Sequence, residues 1–324
     1  MKTTASHIIS PEITWKVNAV KQVRTDLAME SFDGMQEKPL PGVRLSNWET
    51  GGVSITEVEV TTEEGSALLH KPIGHYITLE SEGVKQKIPQ ARQAVSTILG
   101  EELGRILPKD REGPVLVIGL GNRRVTPDSL GPVTVDHTLV TRHLFRELPE
   151  QVDGRLSSVC AIAPGVLGVT GIETMEMVRS AVQAVSPRAV IAIDSLSARA
   201  VSRVGSAIQL TDTGIQPGSG VGNRRMALSV QTLGVPVLAI GVPMVIYAAT
   251  IARDAFELLS GEQEDEQALD QMADELLRGA MGEMIVTPRE VDDLVHDAAC
   301  MLAGGINRAL HPELSEQEIA AMMA

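Results

Sequence analysis

Two aspartates have neighbours that could turn them into a working pair. Asp128 lies in "VIGLGNRRVTPDSLGP" (117–132), after a glycine-rich turn and between Pro127 and Pro132. Asp194 ends the apolar run "AVIAID" (189–194). Neighbouring carboxylates resist full ionisation. One can then act as base on a water while the other donates a proton or hydrogen bond. If both runs are strands of one open sheet, the acids leave its carboxyl ends, where such sheets bind ligands. A structural reading competes. An aspartate at a strand end commonly caps the next helix, and Asp194 before "SLSAR" has that character. Asp128 could equally cap or set a turn. From spacing alone the caps stand ahead of catalysis.

Other chemistries have less behind them. Gly119 and Gly121 begin a G-x-G-x-x-G fingerprint, but Arg124 occupies the third glycine position. Pro127 and Pro132 also interrupt the place where a helix should open on a pyrophosphate. "PGSGVGN" (217–223) reads as an anion-binding nest or as a flexible turn. None of the seven histidines falls in H-E-x-x-H, and no G-x-S-x-G elbow is present. His137 and His143 sit on the helical stretch after Asp128, where surface or capping roles suit them. Cys160 and Cys300 show no metal-like spacing and read as buried small hydrophobes. No cofactor and no metal are expected.

The elements that must hold these residues can be traced by periodicity. "PVLVIGL", "SSVCAIAPG", "RAVIAID" and "VPVLAIGVP" are short buried strands. They alternate with the helical stretches "VTVDHTLVTRHLFREL", "ETMEMVRSAVQAV" and "VIYAATIARDAFELL". This order predicts an α/β fold with a mostly parallel central sheet flanked by helices. Earlier, "VSITEVEVTT" and "GHYITLES" alternate as half-exposed strands, predicting a small additional antiparallel piece within 50–82. "QARQAVSTILGEELGRIL" (90–107) has helical spacing, and the acidic stretch at 260–285 reads as a solvated helix with a loop. Residues 1–24 hold no strong period.

Composition removes whole classes of function. With 42 acidic and 28 basic residues the net charge is −14, which disfavours binding to phosphate backbones. Only seven aromatics are present, so a base-stacking platform is not expected. No apolar run approaches membrane-spanning length and the N-terminus lacks the apolar centre of a signal peptide. A soluble protein with no membrane partner is predicted, with a core of Val, Ile, Leu, Ala and Met.

Several long segments carry a resemblance. They are "VRTDLAMES" (23–31), "GLGN..VTPDSLGP" (119–132), "APGVLGVTGIET" (163–174), "IDSLSAR" (193–199), "IQLTDTGIQPGSGVGN" (208–223), "TLGVPVLAIGVP" (232–243), "VTPREVD" (286–292) and "GGINRALHPEL" (304–314). In that order they resemble the germination proteases of endospore-forming bacteria, over nearly the whole chain from about residue 20. The resemblance implies an atypical aspartic endopeptidase with a fold related to hydrogenase maturation proteases. It implies that Asp128 and Asp194 are catalytic, which reverses the order that spacing gave. It also implies small acid-soluble spore proteins as substrates, a homotetramer, and a cytoplasmic location in the developing forespore and spore core.

The same resemblance implies a zymogen that removes a short N-terminal propeptide under moderately acidic conditions, cutting after glutamate and before an apolar residue. Glu12–Ile13 has that character, so residues 1–12 are a candidate propeptide and 13–324 a single α/β peptidase domain. Two departures stand out. Arg123 and Arg124 replace the Trp-Asn common in the family, and could favour an acidic substrate side chain or be exposed turn residues. Tyr247 stands where the family tends to carry an aspartate. A metal-sensing maturation peptidase of the same fold and a non-enzymatic nucleotide-binding protein remain the alternatives.

Overall fold

The computed structural model describes residues 25–33, 40–216, 226–260 and 284–323. A nine-stranded sheet organises them, in the order β1-β2-β3-β7-β8-β6-β4-β5, with β9 pairing to β8. The strands are β1 Val43–Thr50, β2 Val53–Val60, β3 Gly74–Glu80, β4 Val115–Gly119, β5 Val159–Ile162, β6 Ala189–Ala198, β7 Ala207–Thr211, β8 Val237–Tyr247 and β9 Ile285–Val286.

The four strands β5, β4, β6 and β8 are parallel to one another. Helices cover both faces of this part, which is why its strands read as unbroken apolar runs. Val115, Val117, Ile191 and Ile193 pack on one face against helices Pro89–Ile106 and Val291–Leu310, through Leu99, Leu103, Leu302 and Ile306. Leu116, Ile118, Val190 and Ala192 pack on the other against Met175, Val178 and Val182 of helix Thr174–Val185.

The expected antiparallel piece does not stand apart. β7, β3, β2 and β1 extend the same sheet, each antiparallel to its neighbour. The sheet is therefore mixed rather than mostly parallel. Only residues 199–206 separate β6 from β7, whereas a parallel return needs a crossover of a dozen or more residues.

The stretch expected as one helix over 133–148 is two, Leu130–Asp136 and Arg142–Glu147. Tertiary hydrogen bonds claim the residues between. Leu139 N donates to Asn307 Oδ1 at 2.9 Å, and Thr141 N donates to Val159 O at 2.9 Å. Val245–Tyr247, read as helical, complete β8 instead, and the helix is Ala248–Ser260. Of the acidic stretch at 260–285, residues 261–283 lie outside the described residues.

Candidate functional site

β4 ends at Gly119, and the next amide, Leu120 N, bonds Ile193 O on β6 at 2.8 Å. The chain then folds back on itself. Gly121 has φ +110°, and a Cβ there would lie 2.0 Å from Asp128 O. A Cβ on Gly119 would lie 2.2 Å from Gly131 O. These glycines admit the chain's own 128–131 backbone, not a phosphate. Asn122 N donates to Asp128 O at 2.8 Å and to Asp128 Oδ2 at 2.9 Å. A carboxylate thus takes the amide that a nucleotide loop would offer to an anion. Asp128 closes the turn Thr126–Asp128, which packs against β6, β8 and helix Val291–Leu310.

Asp194 lies within β6 rather than at its end. The strand runs on to Ala198, with Asp194 opposite Gly241 of β8. No helix starts there, so the helix-cap reading of Asp194 is overturned. Strand alternation places Asp194 on the face shared by Ala192 and Leu196. Ala192 belongs to the core under helix Thr174–Val185, and Leu196 to a separate apolar cluster with Leu27 and Tyr76. The carboxylate sits at the seam between them, with the residue 7% exposed, and Oδ1 accepts Ser195 N at 2.9 Å. Gly119 is level with Ile193 in the register, so Asp194 stands one residue beyond the end of β4. Asp128, in the turn that follows β4, and Asp194, inside the neighbouring β6, thus both lie past the last residue of β4.

The two arginines differ. The Arg123 guanidinium forks onto Asp136, at 2.5 and 3.0 Å, and also donates to Pro132 O at 3.0 Å. The Asp136 carboxylate holds its pKa above the ordinary value. Arg124 is exposed, and its backbone amide is held by Asn122 Oδ1 at 3.0 Å. Tyr247 is 3% exposed at the end of β8, opposite Ile285 of β9. Glu12, Ile13 and the 217–223 loop lie outside the described residues.

A polar network beside the site was not foreseen. Asp26 N donates to Ser197 O at 3.1 Å, and Asp26 Oδ2 accepts Ser197 N at 2.9 Å and Ser197 Oγ at 3.0 Å. Lys71 Nζ donates to Asp26 O at 2.8 Å, and Gln209 spans Asp26 O and Ala28 N. Glu30, 3% exposed, accepts Arg199 N at 2.7 Å, Ala200 N at 3.0 Å, an Arg203 N–H at 3.1 Å and the Thr25 hydroxyl. Such multiple donors are what allow a carboxylate to be buried. Burial lowers the pKa of Lys71, against the attraction of Asp26 and then Glu30. The segment 25–33 is thereby fastened to β6 three residues beyond Asp194. Its members are scattered over 26, 30, 71, 197 and 209, a spacing no local motif reports. The one local sign is that Asp26 and Glu30 flank the fully buried Leu27 and Ala28.

The cysteines also depart from expectation. Cys160 is only half-buried in β5, and Cys300 is exposed on helix Val291–Leu310. His137 is the C-cap of helix Leu130–Asp136. The histidine and cysteine spacing offered no metal set, yet His137, His296 and Cys300 come together in the fold.

Comparison with known proteins bears on the whole chain. A family model described as germination protease matches residues 19–261 and 257–323. The germination protease of Clostridium tetani is 40% identical over 316 residues, covering 92% of this chain and 98% of that protein. That of Clostridium acetobutylicum is 41% identical over 322 residues, covering 93% and 98%. That of Bacillus subtilis is 38% identical over 352 residues, covering 91% and 95%. With this similarity running from residue 19 to 323, the chain belongs to the germination protease family.

Proposed function

We propose that this chain is an endopeptidase of spore germination that degrades small acid-soluble spore proteins and uses Asp128 and Asp194 as an aspartic pair. The observation that carries the reading is that the Asp128 turn, which follows β4, packs against β6, the neighbouring parallel strand that carries Asp194 just past the end of β4. One carboxylate would activate a water against the scissile amide. The other would polarise the carbonyl or protonate the leaving nitrogen, and the two would titrate as a pair. The same arrangement supports kinship with the hydrogenase-maturation-protease fold, and residues 13–324 as one peptidase domain. Homotetrameric assembly and residence in the forespore and spore core complete the proposal. Among the described residues no helix is long and apolar enough to cross a membrane.

The chain is made, in this reading, as a zymogen that cuts itself at Glu12–Ile13 and sheds residues 1–12. The fastened segment favours a second junction. Asp26–Leu27 is also an acid followed by an apolar residue, and it is held against β6 three residues from Asp194.

Incubating full-length protein at mildly acidic pH, beside Asp128→Asn and Asp194→Asn, tests the pair. Intact mass over time should show loss of an N-terminal peptide from wild type only. A mass loss matching residues 1–12 supports Glu12–Ile13, and one matching residues 1–26 moves the junction to Asp26–Leu27. Processing of both variants at the wild-type rate would remove the aspartates from the chemistry.

A further inference from the structure

Three side chains of metal-ligand type converge outside the aspartate pair, and peptide hydrolysis uses none of them. His296 and Cys300 are four residues apart on helix Val291–Leu310, and so share one face. Cys300 Sγ lies 3.8 Å from His296 Nε2. His137 comes from the end of another helix, and its ring meets that of His296 edge-on with centroids 5.6 Å apart. One ligand atom from each of the three lies within 4.8 Å of the other two. Zinc–sulfur bonds of about 2.3 Å and zinc–nitrogen bonds of about 2.0–2.1 Å set tetrahedral ligand atoms roughly 3.3–3.6 Å apart. The observed spacing needs only a small rotamer adjustment to reach that, and both His296 and Cys300 are exposed enough to make it.

The backbone under the cluster is fixed independently of any ion. Asn307, two turns beyond Cys300 on the same helix and 4% exposed, donates to His137 O at 3.1 Å and accepts Leu139 N at 2.9 Å. That buried amide pins the segment carrying His137 to the helix carrying the other two ligands. Carboxylates next in sequence are already engaged. Asp136 is paired with Arg123, and Asp297 with Arg92 at 2.6 Å. The free donors are thus two imidazoles and a thiol, a set that suits zinc and excludes magnesium and calcium.

We propose that His137, His296 and Cys300 bind one zinc-class divalent cation, with a water completing the tetrahedron. Binding would transfer the thiol proton to solvent and leave a thiolate on the ion. The ion would tie the helix that follows Asp128 to the helix that packs against the Asp128 turn. Its effect would be to stabilise the fold by linkage, with no part in the cutting step.

Cobalt(II) titration of chelator-stripped full-length protein tests this without reference to activity. One equivalent should give a thiolate-to-cobalt charge-transfer band and the strong visible bands of a tetrahedral site, and zinc should displace both. Cys300→Ser should abolish the charge-transfer band. His296→Ala and His137→Ala should each weaken binding about tenfold or more, with the fold kept by circular dichroism. Cys160→Ser should bind as wild type. Absence of the band in wild-type protein, its survival in Cys300→Ser, or its loss in Cys160→Ser would overturn the proposal.

Discussion

At the residue scale, adjacent arginines in one loop have been given different tasks by their surroundings. Arg123 is bound at its guanidinium to Asp136 and Pro132 O, so it fastens the loop to helix Leu130–Asp136. Arg124 is exposed and makes no ion pair among the described residues. Of the two, only Arg124 is free to meet an acidic substrate side chain. Arg124→Ala should lower kcat/KM several-fold for peptides with glutamate before the scissile bond and leave their glutamine analogues unchanged. Arg123→Ala should cost about 0–1 kcal/mol of stability, since its partner is about half exposed. Equal losses on glutamate and glutamine peptides would take Arg124 out of recognition. The loop position of Asp128 after β4 was legible in the sequence, whereas Asp194 was misplaced at a strand end. The alternation of strand and helix led to a helix after "AVIAID". Pairing with β8, and the bonds of Ser197 to Asp26, carry the strand four residues further. Those bonds join residues 171 apart in sequence, beyond the reach of periodicity.

Among the elements, the turn that carries Asp128 depends on a close backbone approach that a single methyl group would block. At Gly121 an alanine must adopt φ near +110° and place its Cβ 2.0 Å from Asp128 O. The backbone conformation alone costs about 1–3 kcal/mol, and the contact forces Asp128 away from Asn122 N. Gly121→Ala should therefore lower the melting temperature and, well below it, remove most of the peptidase activity. Retained activity at full folding would show that the turn does not set the carboxylate. The core strands of this layer were visible as apolar runs because both their faces are buried. β1 was not visible, since all but one of its residues are exposed and no alternation marks it. β7 was hidden for a different reason. All five of its residues are buried, but "AIQLT" is short and carries a glutamine turned to Asp26 and Ala28.

For the molecule as a whole, the sheet joins two regions that the sequence presented separately, the half-exposed strands near the N-terminus and the buried parallel strands. β1 forms one edge, with Leu45 and Trp48 exposed along it. Among the described residues no strand pairs with its outer side, and such an edge could serve the proposed tetramer. At the other end of the sheet the closure is polar and sensitive to pH. His311, the C-cap of helix Val291–Leu310, is fully buried, and its Nδ1 accepts Ser157 N just before β5 at 3.2 Å. Burial holds its pKa below the usual 6.5, opposed in part by the nearby backbone of Leu139. The unfolded chain therefore takes up this proton first as pH falls. Stability from the neutral ring is complete above about 6.5 and is lost as pH drops toward the folded value. Urea unfolding should give a constant free energy from neutral pH down to about 6.5 and a decline below it. His311→Gln should be less stable at neutral pH but should lose that part of the slope, because glutamine does not titrate. An unchanged slope in the variant would assign the acid sensitivity to other groups.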